Sequence, residues 1–408
     1  MSLSKQTREN IITAVVMLMI TSLFISRAML SVCCVVFCIT SVLFFRKEEK
    51  SEAGSLSFLF GFALLFLVPF ISGLWSSDTA EWWSRCAIKL PLLLLPVGFL
   101  YYRPNEDAVF AISLLFILFV TCGTFYSIYE YVLGTEEIEN GYLQAKVMPV
   151  ITNGDHIRFS WLVVIAILLV LYLQKDIARR SFRIFSMIIM VWLAIFLHLL
   201  AAKTGLLLFY SAVIILFIYY TISKKKKVWL FALLLLPILP FVAYHTMPTF
   251  KKRVQYALYD YQHYRDGNYR EGLSDGMRII SMQAGIETWQ ENLVAGTGFG
   301  DIRKETNSWY ARNRPEVQPY EQILPSSQFL LYAVGTGAIG FFFFLAGIYI
   351  PLTRKYMLRN VYFMAFYIPA LLSFIFEIHL ESQYGCFIFC FFALWMGTAA
   401  TRIKTEYS

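Results

Sequence analysis

The sequence predicts an all-α fold: a polytopic membrane helical bundle of about 12 transmembrane helices, with one large loop outside the membrane that contains amphipathic helices. Hydrophobic residues make up 58% of the chain and charged residues only 15%, whereas ordinary soluble domains carry about a quarter charged residues. The apolar runs are repeatedly close to the roughly 20 residues that cross a hydrocarbon core as a helix. Because lipid leaves only helices or closed barrels as spanning structures, these runs predict a helical bundle.

Twelve apolar runs account for most of the chain. The first follows Lys5 and Arg8, as in a signal peptide, but no small-residue cleavage site follows it and a second run begins almost at once. We therefore expect a retained first helix. The predicted spans cover residues 10–26, 29–45, 56–74, 86–101, 108–132, 157–173, 184–200, 205–222, 228–245, 327–351, 361–379 and 384–400.

Lysine and arginine residues orient these spans. Clusters of basic residues fall on one side of the twelve-span arrangement, and the positive-inside rule assigns that side to the cytoplasm. Both termini are then predicted to be cytoplasmic, and residues 246–326, the polar segment, lie outside. The clusters are Lys5/Arg8, Arg46/Lys47/Lys50, Arg103, Lys175/Arg179/Arg180/Arg183, Lys224 to Lys227, Arg354/Lys355/Arg359 and Arg402/Lys404.

The same charge distribution argues against nucleic acid as a partner. The net charge is +8, but the basic residues are scattered over short loops, where their role in setting membrane topology explains them. The seven cysteines lie within or at the edges of apolar runs and are predicted to pack there. None is spaced for a disulfide framework or a zinc site. We predict no cofactor and no metal.

Ionisable residues collect at the predicted outer face, where charge near membrane depth is costly and tends to be functional. Arg158 and Lys203 stand in short turns beside other polar groups, which favours a functional role over snorkelling to the interface. Lys89 could either have a functional role or snorkel to the interface, and Arg85 lies in the same loop. His156 could either cap the start of a span or contact substrate.

The polar segment predicts two helices. Residues from Lys251 to Tyr261 have the spacing of an amphipathic helix that lies on the membrane. A second helix begins near Ser274 and Asp275, which are plausible N-caps. Arg278 lies in its first turn, where the helix dipole does not favour a cation. Its partner is predicted to be either an anionic ligand or Asp275.

A glycine-rich turn from Gly296 to Asp301 follows the second helix. Its backbone N–H groups could face a phosphate. It is not a nucleotide-binding fingerprint, because no strand precedes it. We expect an ordinary tight turn before a polar stretch.

Four short motifs, in this order, resemble those of the O-antigen ligase and O-antigen polymerase superfamily of bacterial membrane glycosyltransferases. The resemblance covers roughly residues 150–390 and extends to the tail from Glu377 to Gly385. At the second motif the family often has a serine and an arginine. The four motifs are Asp155-His156-Ile157-Arg158-Phe159-Ser160, Ala202-Lys203-Thr204-Gly205, Arg278 to Trp289 leading to Gly296-Thr297-Gly298-Phe299-Gly300, and Gln328-Phe329-Leu330.

The resemblance implies transfer of a glycan from undecaprenyl diphosphate to a sugar hydroxyl at the periplasmic face of the bacterial inner membrane. The acceptor would be a glycan or a lipid A-core, and neither a nucleotide sugar nor an essential metal is implied. Cations must stabilise the departing diphosphate, and Arg158, Lys203 and Arg278 are predicted in that role. The chain is predicted to divide into N-terminal membrane helices, residues 1–150 with about five spans, and a ligase-like region, residues 151–408, that includes the periplasmic loop.

One position departs from the family pattern. Many ligases carry a histidine followed by an asparagine where the long loop re-enters the membrane, and Ser326 and Ser327 stand there in this sequence. A serine is not a base near neutral pH. Either His156, Asp301 or Glu321 takes that role, or the protein is a polymerase with a different set of residues, or it lacks activity. The predicted substrate-binding residues are Arg85, Lys89, Ser326 and Gln328.

Two other classes of function fit the predicted fold. A transporter or flippase would also have about twelve spans, but the sequence shows no clear pair of similar halves with broken helices. A non-catalytic envelope assembly protein is the third possibility. Alanine in place of Arg278 or Arg158 should abolish glycan product only if the protein is an enzyme.

Overall fold

A computed structural model describes residues 4–44, 53–152, 154–174, 179–225, 228–267 and 270–402. All regular secondary structure in these ranges is helical, and short 3₁₀ turns join some of the α-helices. The α-helices are α1 (Lys5–Ile25), α2 (Arg27–Leu43), α3 (Ala53–Ile71), α4 (Thr79–Ile88), α5 (Pro91–Tyr101), α6 (Glu106–Leu133), α7 (Thr135–Gly141), α8 (His156–Leu173), α9 (Arg180–Leu200), α10 (Lys203–Lys224), α11 (Val228–Leu235), α12 (Ile238–Thr246), α13 (Pro248–Arg265), α14 (Asp275–Glu291), α15 (Ile302–Asn313), α16 (Gln328–Tyr349), α17 (Lys355–Arg359), α18 (Val361–Ser373) and α19 (Gln383–Arg402).

Nine helical stretches among the described residues are long and apolar enough to cross a membrane, and they coincide with nine of the twelve predicted spans. The other three predicted spans contain shorter apolar helices of 10–17 residues, which are α2, α18 and α19 as far as Gly397. The protein is therefore an all-helical, multi-pass membrane protein, and the count of twelve stays a prediction. The basic residues Arg46, Lys47, Lys50, Lys175, Lys226, Lys227 and Lys404, which orient the predicted spans, lie outside the described residues.

Three of the spans are interrupted, two of them between separate helices and the third at Gly337 inside α16, and one helix is shorter than predicted. Helices α4 and α5 form one span, Thr79–Tyr101, with a break before Pro91. Helices α11 and α12 meet at Pro237, where proline lacks the N–H that a continuous helix needs. Helix α18 ends at Ser373 instead of residue 379, because residues 374–382 form the α18–α19 loop.

The bundle has a buried centre and an exposed edge. In α8, 72% of the residues of the apolar stretch are buried inside the protein, against 6% in the span formed by α11 and α12. Helix α10 packs on α8 and α18, α16 packs on α3, and α19 packs on α5 and α18. Helices from both sides of residue 150 therefore share one bundle, and a division there stays a prediction.

The glycine turn, residues 296–301, and the residues before it form backbone hydrogen bonds with α16 where that helix is broken at Gly337. Gly337 has φ +62°, and the helical hydrogen bonds lost around it are replaced by the polar segment. The N–H of Thr297 donates to the carbonyl of Val334 at 2.9 Å, and the N–H of Ala338 donates to that of Leu293 at 2.8 Å. A Cβ on Gly296 would lie 2.4 Å from the backbone nitrogen of Gly337, so this contact requires glycine. The turn is more than the ordinary connection that the sequence predicts.

The polar segment forms three helices, one more than predicted. Helix α14 packs against α16 of the bundle and against α13 and α15. Its inner face joins Trp309 and Tyr310 of α15 in a small hydrophobic core that also includes Met277 and Ile280. The segment thus has its own core and covers one end of the bundle, which we call the capped end.

Candidate functional site

The α18–α19 loop brings two of the predicted cations together at the capped end. Arg278 on α14 forms an ion pair with Glu377, with Nη1 2.7 Å from Oε1, and also donates to the carbonyl of Phe376 at 3.4 Å. Arg158 on α8 donates to the carbonyl of Ile378 at 3.5 Å. Two guanidinium groups from helices distant in the sequence therefore meet on one short stretch of backbone.

Lys203 reaches the same place from the turn between α9 and α10. It is the first residue of α10 and forms an ion pair with Asp275, the first residue of α14. The next residue, Thr204, donates a hydrogen bond to Glu377 Oε1 at 3.0 Å. The sequence left Asp275 open as the partner of Arg278, whereas the structure gives Asp275 to Lys203 and Glu377 to Arg278.

The start of α8 supplies an acid and a histidine. Asp155 caps the helix, since its carboxylate accepts a hydrogen bond from the backbone N–H of Arg158 at 3.1 Å. The same oxygen lies 3.5 Å from Nη1 of Arg158. His156 interacts electrostatically with Arg253, Asp155 and Glu377. Asp155 therefore performs the capping that the sequence left open to His156, and His156 lies beside the ion pairs.

Arg253 on α13 is a member of this site that the sequence does not reveal. Its Nε and Nη1 are buried and have no hydrogen-bond partner among the described residues. Its guanidinium carbon lies 5.7 Å from the ring centroid of Tyr256. Burial lowers the pKa of Arg253, while Asp275 opposes that effect and Arg278 adds to it. Buried polar atoms without partners are rare in proteins, which makes this guanidinium a candidate for contact with a ligand.

These side chains form one cluster with one more positive than negative charge. Three of its four cations are each paired with a carboxylate, and the guanidinium of the fourth, Arg253, has two unpartnered nitrogens among the described residues. The side chains of Lys203 and Arg278 are 39% and 33% exposed, so a solute can reach them. The cation cluster consists of Arg158, Lys203, Arg253 and Arg278 with Asp155, Asp275 and Glu377.

Three of the predicted substrate-binding residues meet elsewhere, around Glu381 at the end of the α18–α19 loop. Lys89 Nζ lies 2.7 Å from Glu381 Oε1, and Arg85 Nη1 lies 3.1 Å from Oε2. Gln328 Nε2 donates to Oε1 at 3.4 Å. The side chains of Arg85, Lys89 and Glu381 are at most 6% exposed. We call Arg85, Lys89, Gln328 and Glu381 the buried ion cluster.

Two further predicted site residues, Ser326 and Asp301, form hydrogen bonds that hold the polar segment in place. Ser326 is buried, and its hydroxyl accepts a hydrogen bond at 3.0 Å from Ser281 of α14. Asp301 is 5% exposed and accepts hydrogen bonds at 2.5 Å from both the backbone N–H and the hydroxyl of Ser77, and a third at 3.2 Å from the N–H of Asp78. The first contact ties α14 to the end of the polar segment just before α16, and the second fastens the polar segment to the residues just before α4.

The fold and the site define a class: a multi-pass helical membrane protein with a cluster of cations and carboxylates at one end of the bundle. Residues 188–345 match a family model described as O-antigen ligase. This match supports the motif resemblance to the O-antigen ligase and polymerase superfamily. The matched region holds Lys203, Arg253 and Arg278, while Arg158 and Glu377 lie outside it. Comparison with curated proteins gives no match.

Proposed function

We propose that the protein transfers a glycan from undecaprenyl diphosphate to a sugar hydroxyl at the periplasmic face of the inner membrane, as a surface-polysaccharide ligase or polymerase. The observation that carries this proposal is the convergence of Arg158 and Arg278 on the α18–α19 loop, with Lys203 beside them: it pairs with Asp275, and the next residue, Thr204, contacts Glu377. Guanidinium and ammonium groups bind phosphate oxygens through charge-assisted hydrogen bonds. The family match over residues 188–345 points to the same class of reaction.

Binding of the diphosphate exchanges one set of ion pairs for another. In the protein without substrate, Arg278 is neutralised by Glu377 and Lys203 by Asp275. The Lys203–Asp275 pair is partly exposed on both sides, and such pairs contribute little to stability, so a diphosphate can displace Asp275. In the other pair Arg278 is 33% exposed and Glu377 only 8%, so a diphosphate reaches that pair from the side of Arg278. Arg253 needs no such exchange at Nε and Nη1, because those atoms have no partner among the described residues.

The transfer then needs a leaving group, a nucleophile and a base. The acceptor hydroxyl oxygen forms a bond to the anomeric carbon while the bond from that carbon to the diphosphate oxygen breaks. The electron pair of the broken bond stays on the diphosphate, where the cations stabilise the developing charge. The hydroxyl proton passes to a base beside the acceptor.

Glu377 is the base that the geometry favours. Its carboxylate is 2.7 Å from Arg278, so a diphosphate that takes over Arg278 frees Glu377 beside the leaving group. His156 lies close enough to Glu377 to interact with it electrostatically and is the second choice. The carboxylate of Asp301 accepts three hydrogen bonds and so serves the fold. Glu321 Oε1 accepts a hydrogen bond from the N–H of Gly272 at 2.7 Å, while its buried Oε2 has no partner among the described residues, so Glu321 stays a predicted alternative base.

Alanine in place of Arg278 or Arg158 tests the proposal. Each variant should lose at least about 100-fold in transfer rate, because each removes a cation from the leaving group. The measurement is transfer of a lipid-linked glycan to its acceptor by purified protein in lipid nanodiscs. Arg312 is the matched control, since it is exposed on α15 and pairs only with Glu291 among the described residues.

Arg312→Ala should transfer at the rate of the unsubstituted protein. Unchanged product from both Arg278→Ala and Arg158→Ala would exclude the enzymatic proposal. Movement of the lipid-linked glycan across a liposome membrane by the purified protein, without formation of a transfer product, would instead assign it as a flippase.

A further inference from the structure

We propose that the buried ion cluster positions the α18–α19 loop, and that Arg85, Lys89, Gln328 and Glu381 act through this loop instead of contacting substrate. This inference rests on the proposed function for the reaction that the loop serves. The loop carries Glu377 and the carbonyls that hold Arg278 and Arg158, so its position sets the geometry of the cation cluster. The four residues are therefore positioning residues.

Gln328 holds the loop at two points. Its backbone N–H donates to the carbonyl of Phe374 at 2.8 Å, and its side-chain Oε1 accepts from the N–H of Leu380 at 2.8 Å. Gln328 is fully buried, at the first turn of α16. Glu377 lies between these two points and is therefore carried by a segment whose ends are both fixed to one residue.

Glu381 fixes the far end of the loop by charge. Two buried cations on the α4–α5 span contact its two oxygens, and Arg85 also pairs with Glu81 at 2.8 Å. The four side chains Arg85, Lys89, Glu81 and Glu381 thus balance to zero. Removing one member of a buried ion pair leaves an uncompensated charge, which is strongly destabilising. The contact between Glu381 and the α4–α5 span is therefore hard to break.

The surrounding packing leaves the loop little freedom. A Cβ on Gly385 would lie 1.9 Å from the carbonyl oxygen of His379, so α19 begins in direct backbone contact with the loop. The thiol of Cys386 donates to the carbonyl of Leu380 at 3.2 Å. Lys89 also lies 4.9 Å from the ring centroid of Phe299, which connects the buried ion cluster to the glycine turn of the polar segment.

The burial of the buried ion cluster favours a positioning role over contact with substrate. Lys89 is fully buried, and its ammonium group already faces a carboxylate and an aromatic ring. Lys203 and Arg278 in the cation cluster are instead about one-third exposed. A diphosphate can reach the cation cluster without disturbing the bundle, but it cannot reach Lys89 in the folded protein.

Amide hydrogen exchange of residues 374–382 in nanodiscs tests the inference. In Glu381→Gln the exchange of these amides should rise by about tenfold or more, because the loop opens more often. In the milder variant Lys89→Met, Glu381 keeps Arg85, and a rise of about threefold is expected. Both variants should lower kcat for transfer while KM for the lipid-linked donor stays within about threefold, as for loss of an interaction needed only in the transition state.

The double variant Lys89→Met/Glu381→Gln provides the rescue. It removes one cation and one carboxylate together and leaves Arg85 with Glu81, so exchange should return to within about threefold of the unsubstituted protein. Lys252→Met is the matched control, because Lys252 pairs with Glu139 away from this loop. That control should leave the exchange of residues 374–382 unchanged.

The possible outcomes separate this inference from the proposed function. Unchanged loop exchange in Glu381→Gln and Lys89→Met, combined with a large rise in donor KM, would overturn it and make these residues substrate contacts. Faster exchange with rescue, in a protein that transfers no glycan even when unsubstituted, would support the positioning role and reject the glycosyltransferase proposal.

Discussion

Two charge clusters share the α18–α19 loop, and they differ in how far water reaches them. The cation cluster meets the loop at Glu377, which is buried but pairs with Arg278, a cation that is 33% exposed. The buried ion cluster meets the loop at Glu381, where Lys89 is fully buried. The two glutamates lie four positions apart and are similarly buried, so the difference lies in their cations: Arg278 is open to solvent, whereas Arg85 and Lys89 are not.

The difference follows from the free energy of desolvation. Charges that stay in contact with water gain little from pairing, so their partners can be exchanged. Charges removed from water depend on the partners that the fold provides, because a buried charge without a partner is very unfavourable. In the two proposals above, the same residue types bind substrate in one cluster and position a loop in the other.

Substitution of Lys203 in the cation cluster should have the largest effect on transfer. Lys203→Met removes a cation from the site and should lower transfer by about 100- to 1000-fold, since charge stabilisation at a leaving group contributes that much. Lys203→Arg keeps the charge at a position where the family often has arginine, and should retain activity within about tenfold of the unsubstituted protein. The measurement is the initial rate of transfer with a lipid-linked donor. Equal losses in both variants would show that charge at this position does not matter.

Glutamine at the two glutamates of the loop should lower kcat in both cases but differ in its effect on donor KM and on stability. Glu377→Gln keeps an acceptor for Thr204 but removes the competitor for Arg278 and the base, so kcat should fall about 100-fold while donor KM falls. Glu381→Gln should instead lower the unfolding temperature without tightening donor binding. The measurements are steady-state kinetics and thermal unfolding of both variants. A rise in donor KM for Glu377→Gln, with kcat unchanged, would assign Glu377 to donor binding instead.

Local composition predicts the helices well, and the reasons are physical. Each apolar run must satisfy its own backbone hydrogen bonds in lipid, so nine predicted spans appear as helices of spanning length. The end of α18 could not be predicted in this way, because Phe374, Ile375 and Phe376 continue the apolar run. The helix ends where Gln328 binds the carbonyl of Phe374, and that partner comes from a distant part of the chain.

The site residues also divide into those that local sequence predicts and those that depend on partners from distant parts of the chain. Arg158, Lys203 and Arg278 stand out in the sequence because each is a cation in an unexpected place, and the structure brings them together. Arg253 follows Lys251 and Lys252 and therefore looks like part of a surface basic run. Its buried guanidinium, like the pairing of Glu377 with Arg278, depends on how separate helices pack, which a single sequence does not encode locally.

The smallest expected effect concerns His379, which lies between the two glutamates: it changes how the free energy of unfolding depends on pH. It is fully buried, its Nε2 lies 3.0 Å from Ser373 Oγ, and its Nδ1 has no hydrogen-bond partner among the described residues. Burial lowers the pKa of His379 well below its ordinary value, and the positive charges of Arg158 and Arg278 add to this effect. The imidazole therefore stays neutral in the folded protein at pH values where the unfolded chain is already protonated.

This difference fixes the sign of the pH dependence. Above about pH 6.5 the folded and unfolded states both carry a neutral imidazole, and the histidine adds no pH dependence. As the pH falls below that value the unfolded state binds a proton that the folded state does not, so the free energy of unfolding decreases. Between pH 7.5 and 5.5 the loss is about 1.4 kcal/mol for one histidine that stays neutral when folded.

His379→Gln should remove this loss. Denaturant unfolding in mixed micelles, repeated at pH 7.5 and 5.5, gives the free energy of unfolding for both proteins. The decrease should be smaller in the variant by about 1.4 kcal/mol, while His245→Gln, at an exposed histidine of α12, should behave like the unsubstituted protein. Parallel profiles for His379→Gln and the unsubstituted protein would mean that His379 takes up its proton equally in both states, and that the loop between the two glutamates opens to water before the bundle unfolds.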